Sequence, residues 1–138
     1  MTAMRETWRF TLPEATHGLE AGHYTFLEYY CNEADCDCRR VWLMVIFQPT
    51  WPKSSVEPKH LATIGFGWEA PTFYQKWSPG APDVHDLAGA RLEPFQRQSA
   101  QAEAVLLLTQ TIILRPPEHV LRIKQHYALA RKALRSRN

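Results

Sequence analysis

The sequence predicts an α+β domain: a small antiparallel sheet of three or four strands, followed by two C-terminal helices packed on one face. Three observations carry this. The first half of the chain holds apolar runs of strand length, several with period-two alternation. The last third switches to helical spacing. Strands come first and helices last, which is the order of an α+β fold rather than of a parallel α/β one. A length of 138 residues fits one domain, 1–138.

Each element has its own signal. Trp8, Phe10 and Leu12 alternate with Arg9 and Thr11, a half-buried strand that ends at Pro13. Gly18 to Gly22 is a loop. His23 to Cys31 is aromatic-rich, with Tyr24, Phe26, Glu28 and Tyr30 on one strand face and Thr25, Leu27, Tyr29 and Cys31 on the other. Arg39 to Gln48 has a nearly continuous apolar middle, which marks a central strand covered on both sides. Its connection to the preceding strand reads as a hairpin with a long tip. Pro49, Pro52 and Pro58, with Lys53, Ser54 and Ser55, predict an irregular stretch.

Leu61 to Trp68 resumes strand character, and Gly65 and Gly67 share a face. Bare backbone there invites close approach by packing or by a ligand, with packing the simpler reading. Pro71 to Trp77 reads as a helical turn opened by proline, and Ser78 to Gly89 as loop. Ser99 is the expected N-cap of a buried helix through Leu114. Pro116 and Pro117 stop it, and Val120, Ile123, Tyr127, Ala130 and Leu134 then form the stripe of a second helix.

Composition narrows the function classes. The chain is 45% hydrophobic and 22% charged, with five Trp, five Tyr and six Phe, which argues against disorder. No apolar run approaches the ~20 residues of a membrane span. Arg5 and Arg9 are followed by no apolar signal core, so the expected location is the cytoplasm. A net charge of +2 makes no global case for nucleic acid, although residues 115–138 carry +6. The helix dipole accounts for part of that excess. No phosphate-binding glycine loop, G-x-S-x-G, H-E-x-x-H or paired-carboxylate signature is present, and an enzyme is not expected.

The chemistry concentrates in Cys31, Cys36 and Cys38, spaced C-x4-C-x-C. An odd, clustered set does not read as a disulfide framework. In a reducing compartment such a cluster points to a metal, with zinc the best match to thiolates. Ordinary reduced thiols and a redox switch are the competing readings, and an iron–sulfur centre lacks its fourth cysteine. His126, on the inward side of the last helix, is the preferred fourth ligand, ahead of His119, His60, Asp35 and Asp37. Arg39 and Arg40 are placed to offset thiolate charge. Glu28 inside the aromatic strand needs a partner, and Arg39 or Arg40 across the hairpin is the expected one.

The segments Gly22–Cys31, Cys36-Asp37-Cys38-Arg39-Arg40-Val41, Ala62–Glu69 and Arg122–Tyr127 give the chain the look of a family of uncharacterised bacterial proteins. It resembles that family over most of its length. The resemblance implies a bacterial cytoplasmic protein and transfers no catalytic residue. The function that follows is a metal-stabilised module that docks another protein. The alternative is a nucleic-acid-binding module in which Arg131, Lys132, Arg135 and Arg137 contact phosphates.

Overall fold

The computed structural model describes residues 2–50, 57–77 and 84–136. Its centre is a five-stranded antiparallel sheet in the order β1-β2-β3-β4-β5, formed by Thr2–Leu12, Gly22–Tyr30, Arg40–Gln48, Lys59–Gly67 and Gly89–Leu92. Three α-helices accompany it: α1 (Pro71–Trp77), α2 (Ala102–Leu108) and α3 (Pro117–Ser136). The α+β class and the antiparallel sheet agree with the sequence, and the strand count is one higher than expected.

Each strand pairs with its neighbour in the chain, so alternation along one strand is read directly onto the next. Phe26 stands beside Val45, Tyr24 beside Phe47, and Leu43 beside Ile64. These side chains share one face with Trp8 and Phe10 of β1 and Leu92 of β5. Val105 of α2, Ile113 of the segment between α2 and α3, and Ile123 of α3 close over that face and complete the core. Phe26, Val41, Leu43, Val45 and Ile64 are fully buried. Burial of each such side chain is worth about 1.5–3 kcal/mol.

The additional strand, β5, is four residues long, Gly89-Ala90-Arg91-Leu92. Only two of these residues are apolar with a side chain, too few for a periodic signal. A 3-10 turn at Val84–Leu87 precedes it, within the stretch expected as loop. The irregular stretch anticipated after Pro49 falls largely on residues 51–56, outside the described residues, as do residues 78–83 of the next expected loop.

Ser99 lies one turn ahead of α2 rather than at its cap. Its hydroxyl accepts from the Gln101 amide at 3.2 Å, and its carbonyl accepts from the Ala102 amide. The helix then widens into a π-helical turn at Thr109–Ile113. Thr109 donates its hydroxyl to the Val105 carbonyl and Thr111 to that of Leu107, both at 2.8 Å. Hydroxyl competition of this kind perturbs the helical ladder.

The bare backbone of Gly65 and Gly67 is covered by protein. A Cβ at Gly65 would stand 1.7 Å from Glu93 Oε1, and one at Gly67 would stand 2.1 Å from the Leu87 carbonyl oxygen. Over Gly65 lies a buried ion pair, Arg40 Nη2 to Glu93 Oε1 at 2.7 Å. Over Gly67 lies the Tyr74 ring, brought there by α1. No helix among the described residues is long and apolar enough to cross a membrane.

Candidate metal centre

Cys31, Cys36 and Cys38 sit on the loop that joins β2 to β3. The loop leaves β2 after Tyr30, tightens through a Cys36 amide to Glu33 carbonyl hydrogen bond of 3.1 Å, and re-enters the sheet at Arg40. Arg39, at φ 47°, makes the reversal in the left-handed region. This path brings the three Sγ atoms within 4.8 Å of one another. Cys38 is buried, while Cys31 and Cys36 are half-buried.

The loop is fastened from behind by α3. Arg131 donates to the Glu33 carbonyl at 2.7 Å and to the Ala34 carbonyl. Tyr127 donates to Asp37 Oδ1 at 2.7 Å and accepts from the Arg39 amide at 3.3 Å. From the other side Tyr74 of α1 donates to the Arg39 carbonyl at 2.9 Å. A loop of nine residues without regular structure thus has its backbone held by three side chains from two helices.

The electrostatics disfavour thiolates in the absence of a cation. Burial pushes the Cys36 thiol up to about 12, and the neighbouring Cys38 and Cys31 sulfurs add to the rise. Cys38 is also raised, chiefly by burial; the Arg40 amide hydrogen bond and guanidinium charge oppose this without overcoming it. Arg40 therefore acts on the cluster in the direction its position suggested. Arg39 is turned away to Asp37 at 3.1 Å, Glu69 at 3.5 Å and the face of Phe73 at 4.5 Å. Three converging sulfurs whose charge Arg40 offsets only in part form a set that a soft or borderline cation would stabilise.

His126 lies outside the thiol set. It is buried, and its Nδ1 stands 2.9 Å from Glu28 Oε1, which also accepts from the Tyr30 hydroxyl. This corrects the expected partner of Glu28. In the β2–β3 register Glu28 faces Leu43 on the core side, whereas Arg40 faces Gly67 on the opposite side. Arg40 is thus turned away from it, Arg39 is engaged by Asp37 and Glu69, and α3 supplies the partner. His119 donates from Nδ1 to the Ile113 carbonyl at 2.8 Å and lies tilted beside the Trp8 ring, and His60 meets Thr63 at 2.9 Å. Asp35 is exposed, and Asp37 is engaged by Tyr127 and Arg39.

Tyr127, Arg131 and Tyr74 are the residues that sequence reasoning did not assign to the loop. The helical stripe placed Tyr127 inward, but nothing local linked it to a segment 90 residues away. Compared with family models, curated proteins and solved structures, the chain matches none.

Proposed function

We propose that this is a small zinc-binding protein in which the metal is structural and the domain it stabilises docks another protein. The observation that carries the metal is the convergence of three thiols on one fastened loop. Thiolates at ~2.3 Å from a tetrahedral ion stand about 3.8 Å apart, a separation that the three sulfurs reach with small side-chain adjustments. Zinc suits a cluster of three sulfurs better than hard cations do, and it needs no redox partner. The fourth position goes to His126 on this reading, approached through Nε2, because Nδ1 is committed to Glu28. A reducing, cytoplasmic setting goes with three unpaired cysteines.

The docking role is supported by apolar side chains that the fold does not cover. Phe95 is fully exposed at φ 66°, and Leu121 and Leu129 are both exposed on α3. The nucleic-acid alternative loses part of its basis. Arg122 lies over the Trp8 ring at 5.5 Å, and Arg131 is bound to loop carbonyls. Arg137 is outside the described residues.

Elemental analysis of protein purified without added metal tests the metal. The expected result is about one zinc per chain, lost in Cys38→Ser and bound about 10–100-fold more weakly in His126→Ala. Metal-free protein with three freely titrating thiols overturns the reading.

A further inference from the structure

Lys59, His60, Arg97, Gln98 and Ser99 line a recess of about 410 Å³. It lies at the end of the sheet remote from the cysteine loop, because Lys59 pairs with Phe47 while the loop enters at Arg40. Its size falls in the ~300–1,000 Å³ range of small-molecule sites.

The charge in it is unbalanced. Lys59 and Arg97 are exposed and form no ion pair among the described residues. No aspartate or glutamate lines the recess among those residues. By contrast Arg40 of β3 and Arg91 of β5 share Glu93, and Arg39, just before β3, has Asp37 and Glu69.

The walls are built rather than loose. Gln98 donates to the Thr63 and Glu93 carbonyls at 2.8 and 3.1 Å and accepts from the Thr63 amide at 3.0 Å. The Ser99 amide donates to the Leu61 carbonyl at 2.9 Å. The backbone that carries Arg97 is therefore tied along β4, at a fixed distance from Lys59. Between them stands His60, whose Nε2 meets Thr63 Oγ1 and whose Nδ1 has no partner. Burial, and then the charge of Arg97, hold this imidazole below its usual pKa.

We propose that the recess binds a small phosphate monoester. Arg97 supplies a planar, two-pronged donor to the phosphate oxygens and Lys59 a point charge. The remaining volume takes the polar group that the phosphate esterifies. The site is independent of the cysteine cluster and does not rest on its metal.

The test is an amide-resolved NMR titration of the full chain in chloride buffer, with inorganic phosphate and with glucose 6-phosphate as probes. Saturable shifts confined to residues 59–61 and 97–99 are expected, with glucose 6-phosphate binding at least several-fold more tightly than phosphate. The Lys59→Met/Arg97→Met double variant, checked by its own spectrum for folding, should weaken binding at least tenfold. Arg97→Lys should weaken it less, and Arg9→Met, on exposed β1, should leave it unchanged. Equal affinity for the two probes overturns the ester and leaves a free-phosphate site. Shifts spread over α3, or binding that survives the double variant, reduce the recess to ordinary counter-ion attraction and overturn the proposal outright.

Discussion

His126 Nδ1 and Glu28 Oε1 meet at 2.9 Å across 98 residues of sequence. The contact is buried on both sides, and the same oxygen takes the Tyr30 hydroxyl, whose ring lies beside Tyr127. Tyr30 also reaches the Ile123 carbonyl at 3.2 Å. The Glu28 carboxylate and the Tyr30 hydroxyl together therefore join β2 to His126 and Ile123 of α3, immediately before the chain enters the cysteine loop.

Removing His126 should unfasten that joint. His126→Ala takes away one of two donors to a buried carboxylate, and a loss of about 3–5 kcal/mol is expected from urea denaturation. Tyr30→Phe should cost less, about 1–3 kcal/mol, because His126 still serves the same oxygen. Equal costs would show that Glu28 does not couple the two.

Loosening α3 from the loop should be visible at the thiols before it is visible in global stability. Arg131→Met removes two carbonyl contacts on the half-exposed side of the loop. A cost of about 1–2 kcal/mol is expected, together with faster alkylation of Cys36 in metal-free protein. An unchanged alkylation rate would mean that the loop holds its shape without α3.

Glycine replacements separate two kinds of close approach. At Gly65 the obstacle is the carboxylate end of Glu93, which can shift at the expense of its pairing with Arg40. Gly65→Ala should cost about 1–3 kcal/mol. At Gly67 the nearest obstacle is the Leu87 backbone oxygen, backed by the Tyr74 ring, and neither is a flexible chain end. Gly67→Ala should be the more damaging of the two in thermal denaturation.

Acid should weaken the fold partly through His60. Burial and then Arg97 favour its neutral ring in the folded state. The unfolded chain therefore binds the extra proton more readily, and stability declines as pH falls below about 6.5. His60→Gln should flatten this part of a pH–stability profile measured by chemical denaturation. A profile identical to that of the parent would locate the acid sensitivity elsewhere.

Chelation should lower stability if zinc closes the loop. Metal-free protein is expected to melt lower than loaded protein, with the largest loss of amide-exchange protection at residues 31–39. Protection lost evenly over the whole sheet would place the metal elsewhere.

The three middle strands were legible because their side chains alternate or run apolar along most of each strand, as in Tyr24–Tyr30 and Val41–Phe47. Strand β5 was not, since its place beside β4 comes from pairing and from the Gln98 clasp rather than from apolar content. The cysteines announced their cluster by proximity in sequence. The partner of Glu28 was hidden because hairpin proximity suggested Arg40, whereas strand parity sends the two side chains to opposite faces. Counting parity from Glu28 to Leu43 and Arg40 would have excluded that pair. The residues that brace the loop, Tyr127 and Arg131, depend on where α3 docks, and no local pattern encodes that.

The neighbour-to-neighbour strand order has a consequence for how the molecule assembles on the ribosome. Each strand finds its mate in the segment synthesised just before it, so the sheet can grow by successive hairpins with little delay. The cysteine loop cannot finish in that way. Its sulfurs are made early, yet two of the three side chains that brace it, Tyr127 and Arg131, arrive some 90 to 98 residues later. During that interval three thiols stand on a half-supported hairpin, open to stray oxidation or to a passing ion. A cation captured then would shape the loop before α3 exists to hold it, and the helix would dock onto a site already formed.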